Sequence, residues 1–223
     1  MPVWLFAVAV VAVLAGSGIA LSYGLHGGVS VAYCVLSVFL SLNLLVSYWE
    51  FSLGLRQDVI ARRAAYWRER GAETGRSPAF AFLTARISWR QMLSLDCWAD
   101  VWAAYASYDG AYVDRRSYGF NVDFYNGVLL ALPALFLYVA LTVHWLPAMA
   151  VGILGAMLFG HWVYSASVYW LSFFGSGSHR PISRGEVIAY VWATNAPWIL
   201  ASMVGVYVSI RLIVDGDYGV LMP

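Results

Sequence analysis

Two carboxyl groups inside apolar segments are the strongest candidates for chemistry in this chain. Glu50 and Asp123 each lie in a stretch that is otherwise apolar enough to enter a membrane. An ionisable group at membrane depth is costly, which makes it a candidate functional residue. Burial disfavours a charged carboxylate, and an acid that stays protonated near neutral pH can act as a proton donor. Glu50 and Asp123 are therefore the predicted catalytic residues.

Other polar side chains accompany these acids at helical spacing. Asn43, Ser47 and Glu50 stand at positions i, i+4 and i+7, so they share one stripe of a helix. Two later segments carry polar and aromatic pairs on one face, namely His161 with Tyr164 and Asn195 with Trp198. All these groups fall where they can surround one pocket in the same half of a helix bundle, so we expect them to bind substrate.

Each candidate also has a structural alternative. Glu50 and Asp123 can be hydrated at the membrane interface or paired with an arginine of a loop. Asn195 can form a hydrogen bond between helices, which is a common structural use of asparagine in membranes. His161 can be a packed, hydrogen-bonded histidine.

The composition indicates that membrane spans position these residues. The chain has 223 residues, of which 61% are hydrophobic and 11% charged, against about 25% charged in a soluble domain. A span needs roughly 20 apolar residues, and the segments that qualify are approximately 3–23, 29–52, 119–143, 146–173 and 187–214. The sequence therefore predicts an all-α integral membrane protein, one membrane domain over 1–223, with five transmembrane helices. The net charge of +1 excludes a nucleic-acid partner bound through basic bulk.

A long polar segment, residues 53–118, separates the second and third spans. It holds ten of the 13 arginines, and its apolar residues recur at the spacing of amphipathic helices that lie on a membrane surface. With five spans, this segment shares one side with the N-terminus and with the loop around residues 175–186. The positive-inside rule predicts that this side is cytosolic and that the C-terminus lies on the opposite side.

An aromatic pattern ends this segment. Trp102, Tyr105, Asp109 and Tyr112 recur at helical spacing and are predicted to form one face that packs against the spans near the mouth of the pocket. Tyr112 is accordingly predicted to bind substrate. Together with an acidic third span, the string Gly160-x-x-x-Tyr164 and a final Asn195-Ala196-x-Trp198, this pattern resembles the emopamil-binding protein (EXPERA) family. That family consists of five-helix membrane proteins that include the sterol 8,7-isomerase.

The family resemblance implies roles for residues on three spans. By position, Asp123 matches the acid of the third helix, and Asn195 and Trp198 match the pair of the fifth. The second helix departs from the pattern, because Asn43 stands where the family has histidine and Ser47 where it has glutamate. The fold is therefore expected, while sterol isomerisation itself is in doubt.

The string Trp49-Glu50-Phe51 after Asn43 resembles the corresponding helix of the integral-membrane terpene cyclases of meroterpenoid and indole-terpenoid pathways. This likeness implies acid-initiated cyclisation of a lipophilic, prenylated substrate. Glu50 stands between two aromatic rings in the sequence and is predicted to be the proton donor, whereas Asp123 follows Arg115 and Arg116 by about two turns and is predicted to be the supporting carboxylate. A sterol-type double-bond isomerase and a non-catalytic sterol- or lipid-binding protein are the alternatives. Neither a metal nor an organic cofactor is required. Aromatic rings stabilise a carbocation, and the rings expected at the pocket are Trp49, Tyr125, Tyr164 and Trp198.

Overall fold

The computed structural model describes residues 1–88 and 90–223 in full and residue 89 by its backbone. Its elements are helical, and among the described residues the one extended pairing is an isolated bridge between Pro2 and Arg86. In chain order the α-helices that concern the argument are α1 Val3–His26, α2 Val31–Leu55, α3 Gln57–Thr74, α4 Pro78–Thr84, α5 Trp89–Met92, α6 Leu95–Tyr105, α7 Tyr118–Val143, α8 Ala148–Gly175 and α9 Arg184–Asp215.

The prediction of an all-α membrane protein with five spans is confirmed. Within the described part of the chain, α1, α2, α7, α8 and α9 are long and apolar enough to cross a membrane. Their ends lie within three residues of the predicted ones. Such agreement is expected, because the length of an apolar run is set directly by the thickness of the hydrocarbon layer.

Two of the spans contain a turn of π-helix. In α7 this turn covers Asn126–Leu130, and in α9 it covers Val187–Trp192. A π-turn inserts one residue into the helical repeat and changes the direction of the neighbouring side chains, and such turns are frequent at functional sites.

The helices of the polar segment bury their apolar faces against protein. In α3 the buried residues Ile60, Ala64, Trp67 and Gly71 follow a helical stripe. This stripe packs on α4 and α6, so the segment between the second and third spans has a core of its own. The helices are amphipathic as predicted, and their apolar faces are turned toward one another.

One buried carboxylate holds α3 and α6 together. Asp100 on α6 is 5% exposed and accepts a hydrogen bond from the indole of Trp67 at 2.8 Å. The guanidinium of Arg63 lies 2.7 Å from the same oxygen. Burial raises the pKa of Asp100, and the Trp67 and Arg63 contacts oppose that rise. This acid therefore has a structural role.

Contacts divide the chain into two compact units. The first unit comprises residues 1–8, 46–128 and 168–194, and the second comprises residues 9–45, 129–167 and 195–223. The core of the first unit is rich in tryptophan, with Trp67, Trp98 and Trp102 each at most 6% exposed. The core of the second unit is built around Phe159 and Trp162.

Each terminus is fixed within one of these units. In the first unit, the terminal amino group of Met1 donates to the carbonyl of Ile87 at 3.0 Å, and the amide of Val3 donates to Ala85 at 3.2 Å. In the second unit, the amide of Ser30 donates to the carbonyl of Leu221 at 2.8 Å. The N-terminus therefore lies beside the 53–118 segment, as the five-span arrangement requires.

Three stacked rings close the far end of α7 in the second unit. His144, which ends α7 in a left-handed conformation with φ 55°, stacks on His26 at 3.8 Å and on Tyr218 at 4.0 Å between ring centroids. Burial, followed by the proximity of His26, lowers the pKa of His144 to about 4. The stack therefore requires the neutral imidazole.

This stack predicts a loss of stability in mild acid. An unfolded histidine has a pKa near 6.5, so the contribution of neutral His144 is complete above that pH and is lost as the pH falls toward about 4. We expect the thermal midpoint in detergent to fall between pH 7.5 and 4.5, and to fall less in His144→Asn, because asparagine tolerates the left-handed backbone. An equal fall in His144→Asn and wild type would contradict the prediction.

Candidate functional site

Glu50 lies on the buried face of α2 and is only 3% exposed. The side-chain amide of Asn126 donates a hydrogen bond to its Oε2 at 2.6 Å. Ser47, one turn earlier on α2, is 2% exposed and lies on the same stripe. The π-turn of α7 begins at Asn126, so the residue that reaches Glu50 is also the residue at which the helical repeat changes.

Gly127 allows α2 and α7 to approach closely at this point. A Cβ atom built on Gly127 would lie 3.0 Å from the carbonyl oxygen of Ser47 and 3.1 Å from the carbonyl carbon of Glu50. Both neighbours are backbone atoms, which cannot move aside as the end of a flexible side chain can. The absence of a side chain at Gly127 is therefore what brings Asn126 within reach of Glu50.

Asp123 lies one turn before Asn126 on the same face of α7, and the phenol of Tyr112 holds it. The hydroxyl of Tyr112 donates to Oδ2 of Asp123 at 2.7 Å. Tyr112 is 2% exposed and stacks on Trp102 at 5.0 Å between centroids. Burial, and then the negative charge of Asp123, raise the pKa of Tyr112 well above its usual value. Tyr112 therefore remains a proton-bearing donor to Asp123.

A third carboxyl, that of Asp109, is held in the same unit. Its Oδ1 accepts the amide hydrogen of Ala111 at 3.0 Å, and its Oδ2 accepts the hydroxyl of Tyr169 at 3.0 Å. The hydroxyl of Tyr169 is also 3.2 Å from that of Tyr105. Burial raises the pKa of Asp109, against these two hydrogen bonds. Asp109 thus links the end of the polar segment to α8.

The predicted aromatic face does pack against the spans, but it is not one helix. Helix α6 ends at Tyr105, and Asp109 caps a short 3₁₀ turn, Gly110–Val113, that carries Tyr112. The side chain of Asp109 accepts from the amide of Ala111 and so fixes the start of this second turn. The indole of Trp102 donates to the carbonyl of Trp49 on α2 at 2.8 Å.

The nearby arginines do not neutralise these acids. Arg115 donates to Gln57, and Arg116 pairs with Asp114 at 3.2 Å. Among the described residues, the ion pairs do not include Glu50, Asp109 or Asp123. The alternative in which a loop arginine compensates Glu50 or Asp123 is therefore not what the structure shows. Amide and phenol groups surround them instead.

Trp49 contributes an aromatic ring to the same unit. Its indole stacks on that of Trp98 at 5.4 Å between centroids, with an angle of 21° between the rings. The ring is partly buried beside the tryptophan-rich core. Trp49 and Trp102 therefore flank the part of α2 that carries Glu50.

The remaining predicted residues divide into two groups. In the second unit, the indole of Trp198 donates to the side-chain oxygen of fully buried Asn43 at 3.1 Å, and His161 and Asn195 are partly buried. Tyr125 and Tyr164 instead point outward, being 43% and 65% exposed. The sequence predicts that these two rings line an interior pocket, but the structure places them on the outside. Each lies one residue before a buried position of its helix, and so it points away from the buried face.

Asn126 and Asp109 are not predicted site residues, and Tyr169 is not a sequence candidate at all, yet the structure places all three beside the acids. The spacing that joins Asp123 and Asn126 was a usable signal, since the two share one face of α7. Tyr169 follows His161 by two helical turns on one stripe, which was a weaker signal. The bond from Tyr169 to Asp109 joins residues 60 positions apart, and helical periodicity contains no information about such a partner.

Apart from Asp100, which is paired with Arg63, the first unit thus provides three buried or partly buried carboxyl groups in two kinds of surroundings. Glu50 receives one amide hydrogen bond, whereas Asp109 and Asp123 each receive a hydrogen bond from a phenol. Carboxyls in unlike surroundings ionise differently, which is how one site provides both an acid and a base. This arrangement is suited to moving a proton to and from an apolar molecule.

Comparisons with protein families, with curated proteins and with solved structures identify no match to this chain. The resemblance to the emopamil-binding family and to membrane terpene cyclases therefore stays a hypothesis that rests on the motifs themselves.

The close approach at Gly127 predicts a stability effect. Gly127→Ala places a methyl group against the backbone of α2, and overpacking of this kind costs about 1–3 kcal/mol. Chemical unfolding in mixed micelles would measure the loss. Gly160→Ala on α8 is the matched control, because a Cβ there meets nothing within 4 Å, and it should be neutral or stabilising. Wild-type stability in Gly127→Ala would show that the two helices do not depend on this contact.

Proposed function

We propose that the protein is a membrane-bound terpene cyclase that acts on a lipophilic, prenylated substrate by acid-initiated carbocation chemistry. The observation that carries the proposal is Glu50, a buried acid without a cation partner among the described residues, on the same unit as a second carboxyl held by a phenol. Neither feature stabilises a folded membrane protein by itself, since burying a carboxyl is costly.

In the proposed reaction, Glu50 in its protonated form donates a proton to a terminal alkene or epoxide. The resulting cation is attacked by the next double bond, whose π electrons form the new carbon–carbon bond of a ring. Asp123, as a carboxylate, then removes a proton from the final cation and restores a double bond. The product is an isomer of the substrate, and the enzyme regains its starting state by returning the proton to Glu50 through solvent.

The aromatic groups of the first unit fit this chemistry. The faces of Trp49, Trp102 and Tyr112 are electron-rich, and a desolvated aromatic face stabilises a cation by about 0.5–2 kcal/mol. Tyr112 also holds Asp123 by its hydroxyl, which orients the carboxylate for removal of a proton. No step of this scheme calls for a group other than side chains of the chain.

The proposal includes an orientation in the membrane. Ten arginines lie in the 53–118 segment and two more at Arg180 and Arg184, while Arg211 lies at the opposite end of α9. The positive-inside rule then places the N-terminus and both arginine-rich segments in the cytosol, and the C-terminus on the other side. The substrate-activating side is accordingly the cytosolic one.

The experiment that tests the activity uses deuterated water. Membranes containing the protein are incubated with farnesylated and geranylgeranylated aromatic compounds and with their terminal epoxides. Cyclisation that starts at an alkene converts one double bond into each new ring, so hydrogenation of the product takes up fewer equivalents than that of the substrate. Cyclisation that starts at an epoxide removes one double bond for each ring after the first, and it replaces the epoxide by a hydroxyl group. Protonation of an alkene adds one deuterium to carbon, whereas epoxide opening adds none that is retained. A sterol-type isomerase would keep the number of double bonds, and a binding protein would yield no product.

Two substitutions test the roles of the acids. Glu50→Gln keeps the shape and removes the proton, so we expect turnover to fall by about 10²–10⁴-fold, the usual contribution of a general acid. Asp123→Asn should slow the reaction and change the ratio of the alkene products that form in the final deprotonation. Glu69→Gln, an exposed substitution on α3, should act like the wild type. Full turnover in both Glu50→Gln and Asp123→Asn would refute a catalytic role for this site.

A further inference from the structure

A cavity of about 410 Å³ lies beside the loop that joins α8 to α9, wholly within the first unit. Most of its lining is apolar, and these residues are Phe174, Ile182, Val187, Ile188 and Trp192. Two nitrogen-bearing side chains, His179 and Arg184, complete it. The cavity is not used by the proposed reaction.

The two ends of the loop are fixed by capping interactions. At the end of α8, the amide of Ser178 donates to Phe173 at 3.2 Å and that of Gly177 donates to Phe174 at 3.1 Å. This is the pattern of a Schellman cap, with Gly177 at φ 77°. At the start of α9, Ser183 and Glu186 form a reciprocal capping box. His179 and Arg184 therefore stand on a preformed loop.

The nitrogen-bearing side chains at the cavity are not paired with an acid of the chain. The carboxylate of Glu186 accepts from the amide and the hydroxyl of Ser183 at 3.0 and 2.7 Å, so it serves the cap. Among the described residues, the ion pairs include neither Arg180 nor Arg184. Nδ1 of His179 is buried and has no hydrogen-bond partner in the described part of the chain. These groups lack an anionic partner.

The apolar wall of the cavity continues onto the surface of α9. Ile188 is 55% exposed and Trp192 is 42% exposed, close to the end of a membrane span. Tryptophan and arginine at such an end mark the interface between lipid headgroups and hydrocarbon. A molecule that fills the cavity therefore meets the guanidinium of Arg184 and the ring of His179 as well as apolar side chains.

We infer that this cavity binds an anionic phospholipid, with the phosphate at Arg184 and His179 and the first part of an acyl chain along Ile188 and Trp192. Basic pockets between spans are a known way in which membrane proteins select acidic headgroups. The volume is suited to a headgroup and its glycerol, while the chains remain in the bilayer. The inference does not depend on the proposed reaction.

The test is a titration of delipidated protein with phosphatidylglycerol, followed by native mass spectrometry, with phosphatidylcholine for comparison. We expect phosphatidylglycerol to be retained more strongly. Arg184→Gln should weaken the binding of phosphatidylglycerol roughly tenfold, which is the effect expected when one charge-assisted hydrogen bond is lost. The control Arg90→Gln, which removes an exposed arginine elsewhere, should leave retention unchanged.

His179→Phe keeps the ring contact with Phe174 and removes the nitrogen, so it provides a second test if Arg184→Gln folds poorly. It should also lower retention of phosphatidylglycerol. Three results would overturn the inference. The first is equal retention of the two lipids, and the second is an equal loss of retention in Arg90→Gln and Arg184→Gln. The third is wild-type retention in both Arg184→Gln and His179→Phe. If inorganic phosphate displaced the lipid and bound as tightly as phosphatidylglycerol does, the cavity would be a site for a free anion. That result would also overturn the inference.

Discussion

The hydrogen bond from Asn126 to Glu50 is the interaction on which the arrangement of the first unit depends. It needs an acid inside α2, an amide at the start of the π-turn of α7 and a glycine next to that amide. A cation would satisfy the acid more strongly, yet the arginines of the neighbouring segment pair with other groups. A neutral amide partner leaves Glu50 able to keep its proton, because it offers no charge to hold the carboxylate ionised.

The polar segment contributes the second half of this arrangement. Its own core, and the ion pair of buried Asp100 with partly exposed Arg63, support the turn that carries Tyr112. From that turn, the phenol reaches Asp123, one helical turn from Asn126. The 53–118 segment, whose aromatic face is predicted from the sequence to pack against the spans, thus gives Asp123 a partner unlike that of Glu50.

The spans, the helical class and the amphipathic segment follow from hydropathy and charge, because the bilayer imposes one length scale on every span. The contacts that individual side chains make with other helices were less predictable. Tyr125 and Tyr164 are aromatic and close in sequence to buried residues, but each side chain is turned about 100° from its neighbour, and that step places both outside. Gly127 is visible in the sequence, whereas the helix that it must approach is not. The contact from Tyr169 to Asp109 depends on tertiary structure alone.

The account rests on Glu50 being a neutral acid at physiological pH. Infrared difference spectroscopy of the wild type and Glu50→Gln in lipid membranes at neutral pH reports this directly, through the carbonyl stretch of a protonated carboxyl group. The account predicts that this band is present in the wild type, is retained in Asp123→Asn and is absent in Glu50→Gln. A difference spectrum in which Glu50→Gln removes only carboxylate bands would show that Glu50 is ionised and would contradict its role as proton donor.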